Sequence, residues 1–432
     1  MIYPVHHIKY VTVVTLIASV LFLTSNVSMA QVSDPARREE IKTETVNLKE
    51  CITIAFENNL QLAAERKRLD AAEAERIKAS LLLPANPKLG SETGARESSS
   101  TGRDTDYTIA LSQEFEVFGQ RRKRIRVAEK NIERVRFEIH DVERIIISSV
   151  KLAFYEVLTS LEIAKLRESV KNIFERLWDA TRERYKAGAI SALELNSIKI
   201  KYGLARQQLL VAKKDYQNRL LNLKLLLGKS GDEALNIECK LSYEKVQISI
   251  EDLLASAYKT RPDLKAIEFE KERASKEISL RKSEIIPNPD LSGFFTRESG
   301  TDDIVGGAIS ISIPIWDRKQ SELKKARTAK DVANINIKNK YLEIQKEVET
   351  SYRSFMAAKE GIVIYKDEIM PQVNENLKLN EISYKEGKIN FIGFLNVQSD
   401  LIETQAAYLN ALLDYNNAII NLETVSGVKL QP

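Results

Sequence analysis

Residues 120–187 have the sequence QRRKRIRVAEKNIERVRFEIHDVERIIISSVKLAFYEVLTSLEIAKLRESVKNIFERLWDATRERYKA, which contains no glycine and no proline. Apolar and small residues recur along it in alternating steps of three and four, the pattern of helices that supercoil along one another. These residues are Ile125, Ala128, Ile132, Val135, Ile139, Val142, Ile146, Ser149 and Ala153. A second apolar stripe on another face consists of Ile147, Val150, Phe154, Leu158 and Leu161. A charged helix with two apolar edges needs neighbours on both sides, so the stretch predicts a wall or cylinder of helices. At about 1.5 Å per residue, this helix is roughly 100 Å long, more than a compact globular domain requires.

The start of the chain has the pattern of a cleaved export signal. Lys9 precedes an apolar run at residues 11–23, and the small residues Ser28 and Ala30 follow it. The run is too short to cross a bilayer as a helix, so we expect a signal peptide at residues 1–30. No later stretch of about 18 residues is apolar enough for a membrane helix. The pattern predicts an exported protein without helical membrane spans.

The composition offers little chemistry for catalysis. The chain has 65 Lys and Arg against 61 Asp and Glu, and this near balance argues against nucleic acid as the main partner. One of three histidines, His140, and two distant cysteines follow the export signal, too few for a zinc or soft-metal site. The sequence contains neither a phosphate-binding glycine loop nor a nucleophile elbow. We therefore expect no enzyme, no cofactor and no metal site.

The chain contains two copies of one pattern. Asn47 with Glu50 opens a helix, and Ser249 with Asp252 opens another 202 residues later, each an N-cap residue followed by an acid. The same offset relates Ala55 to Ala257, Leu62 to Leu264, Ala64 to Ala266, Ala72 to Ala274 and Leu89 to Leu291, and an offset of 199 relates Gly188 to Gly387. An ordered series of this kind indicates duplication.

The duplication predicts the domain organisation. The first repeat spans residues 31–228, a linker spans 229–248, the second repeat spans 249–427, and a tail spans 428–432. In each repeat a helix leads to two strands and then to a long helical hairpin, at residues 120–227 and 319–426.

The helix lengths predict how the helices stack. Helices over residues 46–83 and 190–227 are together about as long as the helix over 120–186, so they can lie end to end beside it. In the second repeat, Gly361 and Pro371 interrupt the long helix, so we expect a bend there.

Two segments alternate in the manner of membrane β-strands. Over residues 106–117 and 304–315, apolar residues alternate with small or polar ones, as in a strand with one face to lipid and one to water. Weaker partner strands are expected at residues 88–97 and 290–297. A soluble hairpin packed on one face is the alternative.

The number of strands predicts self-assembly. Four strands cannot close a barrel, and open strand edges are not tolerated in lipid. The smallest membrane barrels have about eight strands, which two chains would supply, whereas three chains would supply twelve and leave room for a lumen. The wall-forming helices favour three chains.

Seven short motifs, taken in order, resemble the TolC family of outer-membrane efflux channels. They are AFENNL at 55–60, Pro84, SQEFEVFGQR at 112–121, YKAG at 185–188, RPDL at 261–264, IPIWDRKQ at 313–320 and YKEG at 384–387. The motifs at 112–121 and 313–320 look most like the cobalt–zinc–cadmium resistance branch. The resemblance covers residues 47–427, nearly the whole mature chain.

The resemblance implies a mainly α-helical protein with a membrane β-barrel. It implies a homotrimer in which four strands per chain form a twelve-stranded barrel, continued by a long α-helical coiled-coil tunnel in the periplasm. An equatorial belt would be formed partly by the segment after Gly228. The implied partners are a periplasmic adaptor (membrane fusion) protein, an inner-membrane pump of the proton-driven resistance-nodulation-division type, and outer-membrane lipid.

The implied function is passive export of heavy-metal cations across the outer membrane of a Gram-negative-type cell. A multidrug or type I protein-secretion channel is the alternative within transport. A structural periplasmic coiled-coil spacer is the alternative of another class.

By the same resemblance, two turns would be the tunnel tips that dock the adaptor. The residues concerned are Tyr185, Gly188 and Ser191 in the first repeat, and Tyr384, Gly387 and Asn390 in the second. The glycines permit the left-handed backbone that ends a helix before a reversal. The alternative is that these are only tight turns.

The tunnel aperture departs from the family pattern. The family often has acidic residues just inside the second tip, where this chain has Gly393 and Asn396. Glu194 occupies the matching place in the first repeat, and Asp400 lies one turn further along the second. The sequence therefore leaves open whether the aperture attracts cations.

The two cysteines, Cys51 and Cys239, both belong near the expected equatorial belt. Because export leads to a disulfide-permissive compartment, we hypothesise a disulfide between them. Two buried thiols are the alternative.

Overall fold

The computed structural model describes residues 44–83, 85–98, 102–239, 241–298 and 302–430. The expected signal peptide at residues 1–30, the motif residue Pro84 and the end of the expected tail, 431–432, lie outside the described residues. Within the described part, no helix has the length and hydropathy that a membrane crossing requires.

The first repeat contains a short strand, two helices, two long strands and a helical hairpin. These elements are β1 (Glu44–Val46), α1 (Leu48–Asn58), α2 (Leu60–Ala79), β2 (Lys88–Ser98), β3 (Gly102–Glu114), α3 (Gln120–Lys186) and α4 (Ala192–Leu226). The second repeat follows the same order, with an interruption in its long helix. The linker contains β4 (Leu235–Ile237), and the second repeat consists of α5 (Ile250–Thr260), α6 (Pro262–Ser283), β5 (Pro289–Glu298), β6 (Asp302–Ile311), α7 (Gln320–Ile364), a π turn (Tyr365–Ile369), α8 (Met370–Lys385) and α9 (Phe391–Ser426).

The first helix of each repeat is divided, where the sequence pattern predicted one continuous helix. Asn59 has an extended backbone between α1 and α2, and its side chain accepts a hydrogen bond from the Leu62 N–H at 3.0 Å. In the second repeat Arg261 takes the same conformation, and Pro262 starts α6. Proline restricts the residue before it to extended backbone, so the second division has a local cause. The capping box of Asn47 and Glu50 before α1 is present as expected.

The interruption in the second long helix lies directly before Pro371. Proline lacks an N–H, and its ring clashes with the carbonyl of the preceding turn. The helix widens into the π turn at Tyr365–Ile369 and resumes as α8, with Pro371 in its first turn. Gly361, the other residue expected to interrupt the helix, lies inside regular α7.

The long helix α3 is the spine of the first repeat. Helix α2 packs along its first half through ion pairs such as Arg66 with Glu143 at 3.3 Å. Helix α4 packs along its second half through pairs such as Arg219 with Glu156 at 2.9 Å. The Asn59 side chain donates to the Leu226 carbonyl at 2.8 Å, so the end of α4 meets the junction of α1 and α2. The expected end-to-end stacking beside one long helix is present.

Two glycines allow this close meeting of helix ends. Gly228 has a φ of 68°, and a Cβ placed on it would lie 2.2 Å from the Asn58 carbonyl oxygen. Gly427 has a φ of 70°, and its Cβ would lie 2.3 Å from the Thr260 hydroxyl. Each repeat therefore has one junction at which a helix end approaches the break in its first helix.

The core is divided among three clusters. In the first repeat, α1, α2 and α4 bury the seam of α3, including Ile132, Val135 and Ile139. The second repeat buries a matching seam that includes Ile344 and Phe355. The third cluster joins the far ends of the two hairpins, because residues of α3 and α4 pack with residues of α9.

Four strands form one antiparallel sheet in the order β2-β3-β5-β6. The pairing of β3 with β5 joins the two repeats within the sheet. Strands β1 and β4 form a separate parallel pair, with Val46 opposite Ile237. This pair fixes the linker between the repeats to the start of the first one.

Candidate functional site: the sheet and the tip turns

The sheet has one apolar and one polar face. The register places Ile109, Phe295 and Val305 side by side on one face. The same face also carries Leu89, Leu111, Leu291, Ile309 and Ile311. All of these side chains except the half-buried Phe295 are exposed, and Val305 keeps 82% of its surface accessible. An exposed apolar face of this extent is typical of a surface that contacts lipid.

The opposite face is bonded through polar side chains. Arg96 of β2 forms ion pairs with Asp106 at 3.0 Å and with Glu298 at 3.1 Å. The hydroxyls of Thr108 and Thr296 are hydrogen-bonded at 2.9 Å. These contacts run across three neighbouring strands, so this face is suited to water.

The strand ends differ from the alternating segments of the sequence. Strand β3 spans Gly102–Glu114 where residues 106–117 were expected, and β6 spans Asp302–Ile311 where residues 304–315 were expected. After Glu114 only the Phe115 N–H still bonds to β5, at the Pro289 carbonyl. Pro314 cannot donate to a ladder at all. The apolar alternation of the sequence therefore continues beyond the hydrogen-bonded strands.

The outer edges of the sheet are the free sides of β2 and β6. Among the described strands, each of these two has one partner only, β3 and β5 respectively. Backbone groups on such an edge must be paired in a membrane, because hydrocarbon offers no hydrogen bonds. A sheet of this kind placed in a membrane would therefore need further strands at both edges.

At the other end of the helices, the two tip turns have the same backbone. Gly188 and Gly387 have φ values of 71° and 70°. Their N–H groups donate to the carbonyls of Tyr185 and Tyr384 at 3.0 and 3.1 Å. Nothing lies within 4 Å of a Cβ placed on either glycine. Both turns therefore present open surface at their glycines.

The next helix of each hairpin begins with a side-chain cap. Ser191 accepts from the Glu194 N–H at 3.3 Å, and Asn390 accepts from the Gly393 N–H at 2.7 Å. A Cβ on Gly393 would lie 3.1 Å from the Asn390 side-chain oxygen. The two expected tip residues Ser191 and Asn390 thus fix the entry into α4 and α9.

The two tip tyrosines, expected to be equivalent, have different surroundings. The ring of Tyr384 stacks on Phe394 with a centroid distance of 4.8 Å and also contacts Phe391. The Arg184 guanidinium donates to its hydroxyl at 3.5 Å, which links the two hairpins. Tyr185 is instead exposed. The aromatic residues following Asn390 were the available sequence signal for this contact.

The candidate aperture residues of the second repeat lie along one stripe of α9. Gly393, Asn396 and Asp400 are three and four residues apart, a spacing that places them on one helix face. Asn396 and Asp400 are exposed, and Glu194 of α4 is half-buried. The structure brings Gly393 against Asn390 and Glu194 against Ser191, and no hydrogen bond or ion pair among the described residues joins one aperture candidate to another.

Ion pairs above the tips connect helices of the two repeats, and sequence spacing did not reveal them. Arg167 of α3 donates to both carboxylate oxygens of Glu403 of α9, at 2.8 and 2.9 Å. These hydrogen bonds lower the pKa of Glu403 below its ordinary value. Within the first hairpin, hydrogen bonds from Lys171 and Tyr202 lower the pKa of Glu175. Both carboxylates stay charged near neutral pH. Glu403 links the two hairpins, whereas Glu175 links α3 to α4 within the first hairpin.

The two cysteines differ in burial. Cys51 is buried in α1, and Cys239 is exposed two residues after β4. The structure does not join them in a disulfide. The disulfide therefore stays a prediction for the oxidised protein.

Comparison with known proteins assigns this architecture to a family. The family profile described as "Outer membrane efflux protein" matches residues 51–229 and 253–428, one match in each repeat. The cobalt-zinc-cadmium resistance protein CzcC of Cupriavidus metallidurans is 22% identical over 416 residues, which cover 95% of this chain and 97% of that protein. The toluene efflux pump outer membrane protein TtgC of Pseudomonas putida is 22% identical over 418 residues, covering 91% and 83%.

A solved structure has the same fold. The CmeC outer membrane channel of Campylobacter jejuni superposes with a TM-score of 0.72 at 16% identity, over 94% of each chain. This likeness, together with the four-stranded sheet and the duplicated helical hairpins, confirms the expected mainly α-helical fold with an internal repeat.

Proposed function

The chain belongs to the outer membrane efflux protein family, and from this premise we propose that three copies form a channel that exports heavy-metal cations. As a member of the family it is an outer-membrane efflux channel with its helical tunnel in the periplasm, and it is not an enzyme. The finer proposal adds the trimer, the partners and the cargo.

The observation that carries the channel proposal is the sheet. Its apolar face would contact lipid, its polar face would line the lumen, and its open edges at β2 and β6 would pair with those of neighbouring copies. Three copies would contribute twelve strands, enough for a lumen, whereas two would give a barrel filled by side chains. A structural spacer does not fit this sheet.

The proposed partners are a periplasmic adaptor and an inner-membrane pump of the proton-driven resistance-nodulation-division type. The open surface at Gly188 and Gly387 supports docking of the adaptor at the tip turns. The aperture candidates Glu194, Gly393, Asn396 and Asp400 would lie just inside these tips. The channel would be passive, because its partners supply the energy.

The cargo proposal rests on the name of one relative, the cobalt-zinc-cadmium resistance protein. A toluene efflux channel is equally identical at 22%, which supports export of apolar compounds as the second candidate. The gene should be deleted and sensitivity to zinc, cobalt, cadmium, copper, toluene and cationic dyes scored. Sensitivity confined to metals supports the metal proposal, and sensitivity confined to toluene or dyes contradicts it.

Docking can be tested at the glycines without disturbing the core. Gly188→Trp and Gly387→Trp add bulk where no atom lies within 4 Å, so trimers should still assemble. We expect loss of resistance and of cross-linking to the adaptor. Gly102→Trp at the start of β3 is the matched control, because Gly102 also has positive φ and equally open surroundings. Full resistance in assembled trimers of both tip variants would exclude a docking role.

A further inference from the structure

Exposed apolar side chains gather where strands give way to helices. We name them the inner collar, and they follow the ends of β3 and β6 in the chain. The inner collar consists of Val117, Phe118, Ile313, Ile315 and Trp316. Trp316 is the most exposed of them, with 86% of its surface accessible. A tryptophan that remains so exposed in the single chain needs an environment that the chain itself does not supply.

The backbone at both ends of the inner collar is held in a defined conformation. Gly119 and Lys319 both have positive φ, 73° and 57°, and Lys319 is the one non-glycine residue of this kind in the described chain. The Gln120 side chain accepts from the Phe118 N–H at 2.9 Å, and that of Gln320 accepts from the Arg318 N–H at 2.7 Å. In both repeats, therefore, a residue with positive φ and a glutamine side chain fix the backbone just before the long helix, α3 or α7.

Basic residues border the inner collar. Some of them serve the protein itself: Arg121 donates to the Ser80 carbonyl, and Arg124 pairs with Glu116. Arg122 and Arg318 are exposed; Arg318 donates to the Pro314 carbonyl at 3.3 Å, but neither arginine forms an ion pair with any described residue. Exposed arginines at both passages from strand to helix, one of them two residues after an exposed indole, match the chemistry of a phospholipid interface, where tryptophan and basic residues are enriched.

Continuity with the sheet favours lipid over water. The apolar face of β6 ends with Ile309 and Ile311, and Ile313 and Ile315 continue the alternation past the last ladder bond. Ile313, Ile315 and Trp316 also line an open cavity of about 960 Å³ beside the polar face, so the lumen is the competing environment. Arg122 and Arg318 distinguish the two, because neither of them lines this cavity and a lipid phosphate would neutralise both.

We propose that the inner collar is seated among the headgroups of the periplasmic leaflet, with Trp316 at the interface and Arg122 and Arg318 bound to phosphates of anionic phospholipid. The proposal rests on the channel function proposed above, and it adds a specific lipid partner. The proposal also places the periplasmic surface of the membrane at the inner collar, where the strands end and the long helices begin.

The chain has two tryptophans, which allows a direct test. Trp178→Phe leaves Trp316 as the sole indole, and the trimer is reconstituted into vesicles that contain brominated phosphatidylcholine. We expect loss of Trp316 emission with bromines near the headgroup, less loss with bromines near the chain ends, and little quenching by aqueous iodide. Trp316→Phe, which keeps Trp178 on α3 near the tips, should show no quenching by lipid.

The anionic lipid is tested in mixed vesicles. Brominated phosphatidylglycerol should quench Trp316 more than brominated phosphatidylcholine at the same mole fraction. The combined change Arg122→Gln and Arg318→Gln should abolish this excess, whereas Arg176→Gln, at an exposed arginine of α3, should leave it unchanged. No excess in the unmodified collar would overturn the assignment of anionic phospholipid.

Other outcomes separate this proposal from the channel function. Strong quenching of Trp316 by iodide places it in the lumen, and protection from both quenchers places it against a second copy; either result overturns the collar proposal. In a protein lacking both natural tryptophans, Val305→Trp reports on the apolar face of the sheet. Lipid quenching there without quenching at Trp316 refutes the collar alone. Absence of lipid quenching at both Val305→Trp and Trp316 refutes the membrane location of the sheet.

Discussion

Replacing Gly228 by alanine should destabilise the assembled protein much more than the same change at Gly188. The two glycines have nearly the same φ, 68° and 71°, so the left-handed backbone costs each alanine variant about 1–2 kcal/mol. At Gly228 the new methyl carbon would also lie 2.2 Å from the Asn58 oxygen and 2.7 Å from its carbonyl carbon. These are backbone atoms, so the helix ends must move apart.

The additional cost follows from this separation. Forcing an extra methyl group into a packed site costs about 1–3 kcal/mol. The same movement weakens the 2.8 Å hydrogen bond from Asn59 to the Leu226 carbonyl. We expect a total of about 2–5 kcal/mol for Gly228→Ala against about 1–2 kcal/mol for Gly188→Ala, where nothing lies within 4 Å.

The assay is thermal unfolding of trimers in detergent, followed by far-ultraviolet circular dichroism at one protein concentration. Gly427→Ala supplies an internal check, because its methyl group would meet the Thr260 hydroxyl at 2.3 Å, a side chain that can be shortened. Thr260→Ala should therefore restore part of the stability lost in Gly427→Ala, but none of that lost in Gly228→Ala. Equal shifts of the midpoint for Gly228→Ala and Gly188→Ala would refute the steric argument.

Three further predictions concern a buried ion pair, the cysteines and the aperture. Burial opposes the charge of Asp263, but the hydrogen bonds and charge of Arg261, which is 3% exposed, outweigh it and lower the pKa of Asp263 below its usual 3.8. The stability from this pair is present at neutral pH and is lost as the pH falls through the lowered pKa. Arg261→Gln should therefore lower the free energy of unfolding by about 3–5 kcal/mol at neutral pH and reduce the further loss on acidification. Urea unfolding at a series of pH values measures both effects. If Cys51 and Cys239 are bonded, the denatured protein should bind a maleimide-polyethylene glycol only after reduction; equal labelling with and without reductant contradicts the bond. Asn396→Asp should increase block of single-channel current by trivalent cations if this exposed position lines the aperture, Asn396→Gln should not, and equal block in the two variants would exclude the position from the pore.

The parts of the fold that follow local periodicity could be predicted from the sequence. The seam of α3, the capping box at Asn47 and the glycines of the two tips are short-range patterns, and the structure contains each of them. The division at Asn59 depends on the end of α4, which lies 167 residues away along the chain. A local sequence pattern gives no information about a contact so far away along the chain, so the sequence predicted one continuous helix there.

The strand ends and the different surroundings of the two tip tyrosines could not be predicted from the sequence, for related reasons. The apolar alternation continues through Ile313 and Ile315 after β6 ends, because it reflects the environment of the side chains. It does not show where the hydrogen bonds between strands end. Tyr185 and Tyr384 occupy equivalent sequence positions, but only Tyr384 has Phe391 and Phe394 on the following helix to pack against. Equivalence in a repeat predicts the backbone and leaves the side-chain partners undetermined.

The junctions show that duplication has kept geometry while the chemistry has changed. At one junction Asn59 bonds a helix end directly, and at the other Arg261 does so with the help of Asp263 and Glu347. Both solutions hold helix ends in the same arrangement. The tips differ in their packing as well, since Tyr384 packs against Phe391 and Phe394 whereas Tyr185 is exposed. The cap of the first tip offers Glu194 where the second offers Gly393, so discrimination among cargoes or partners is to be sought in this asymmetry.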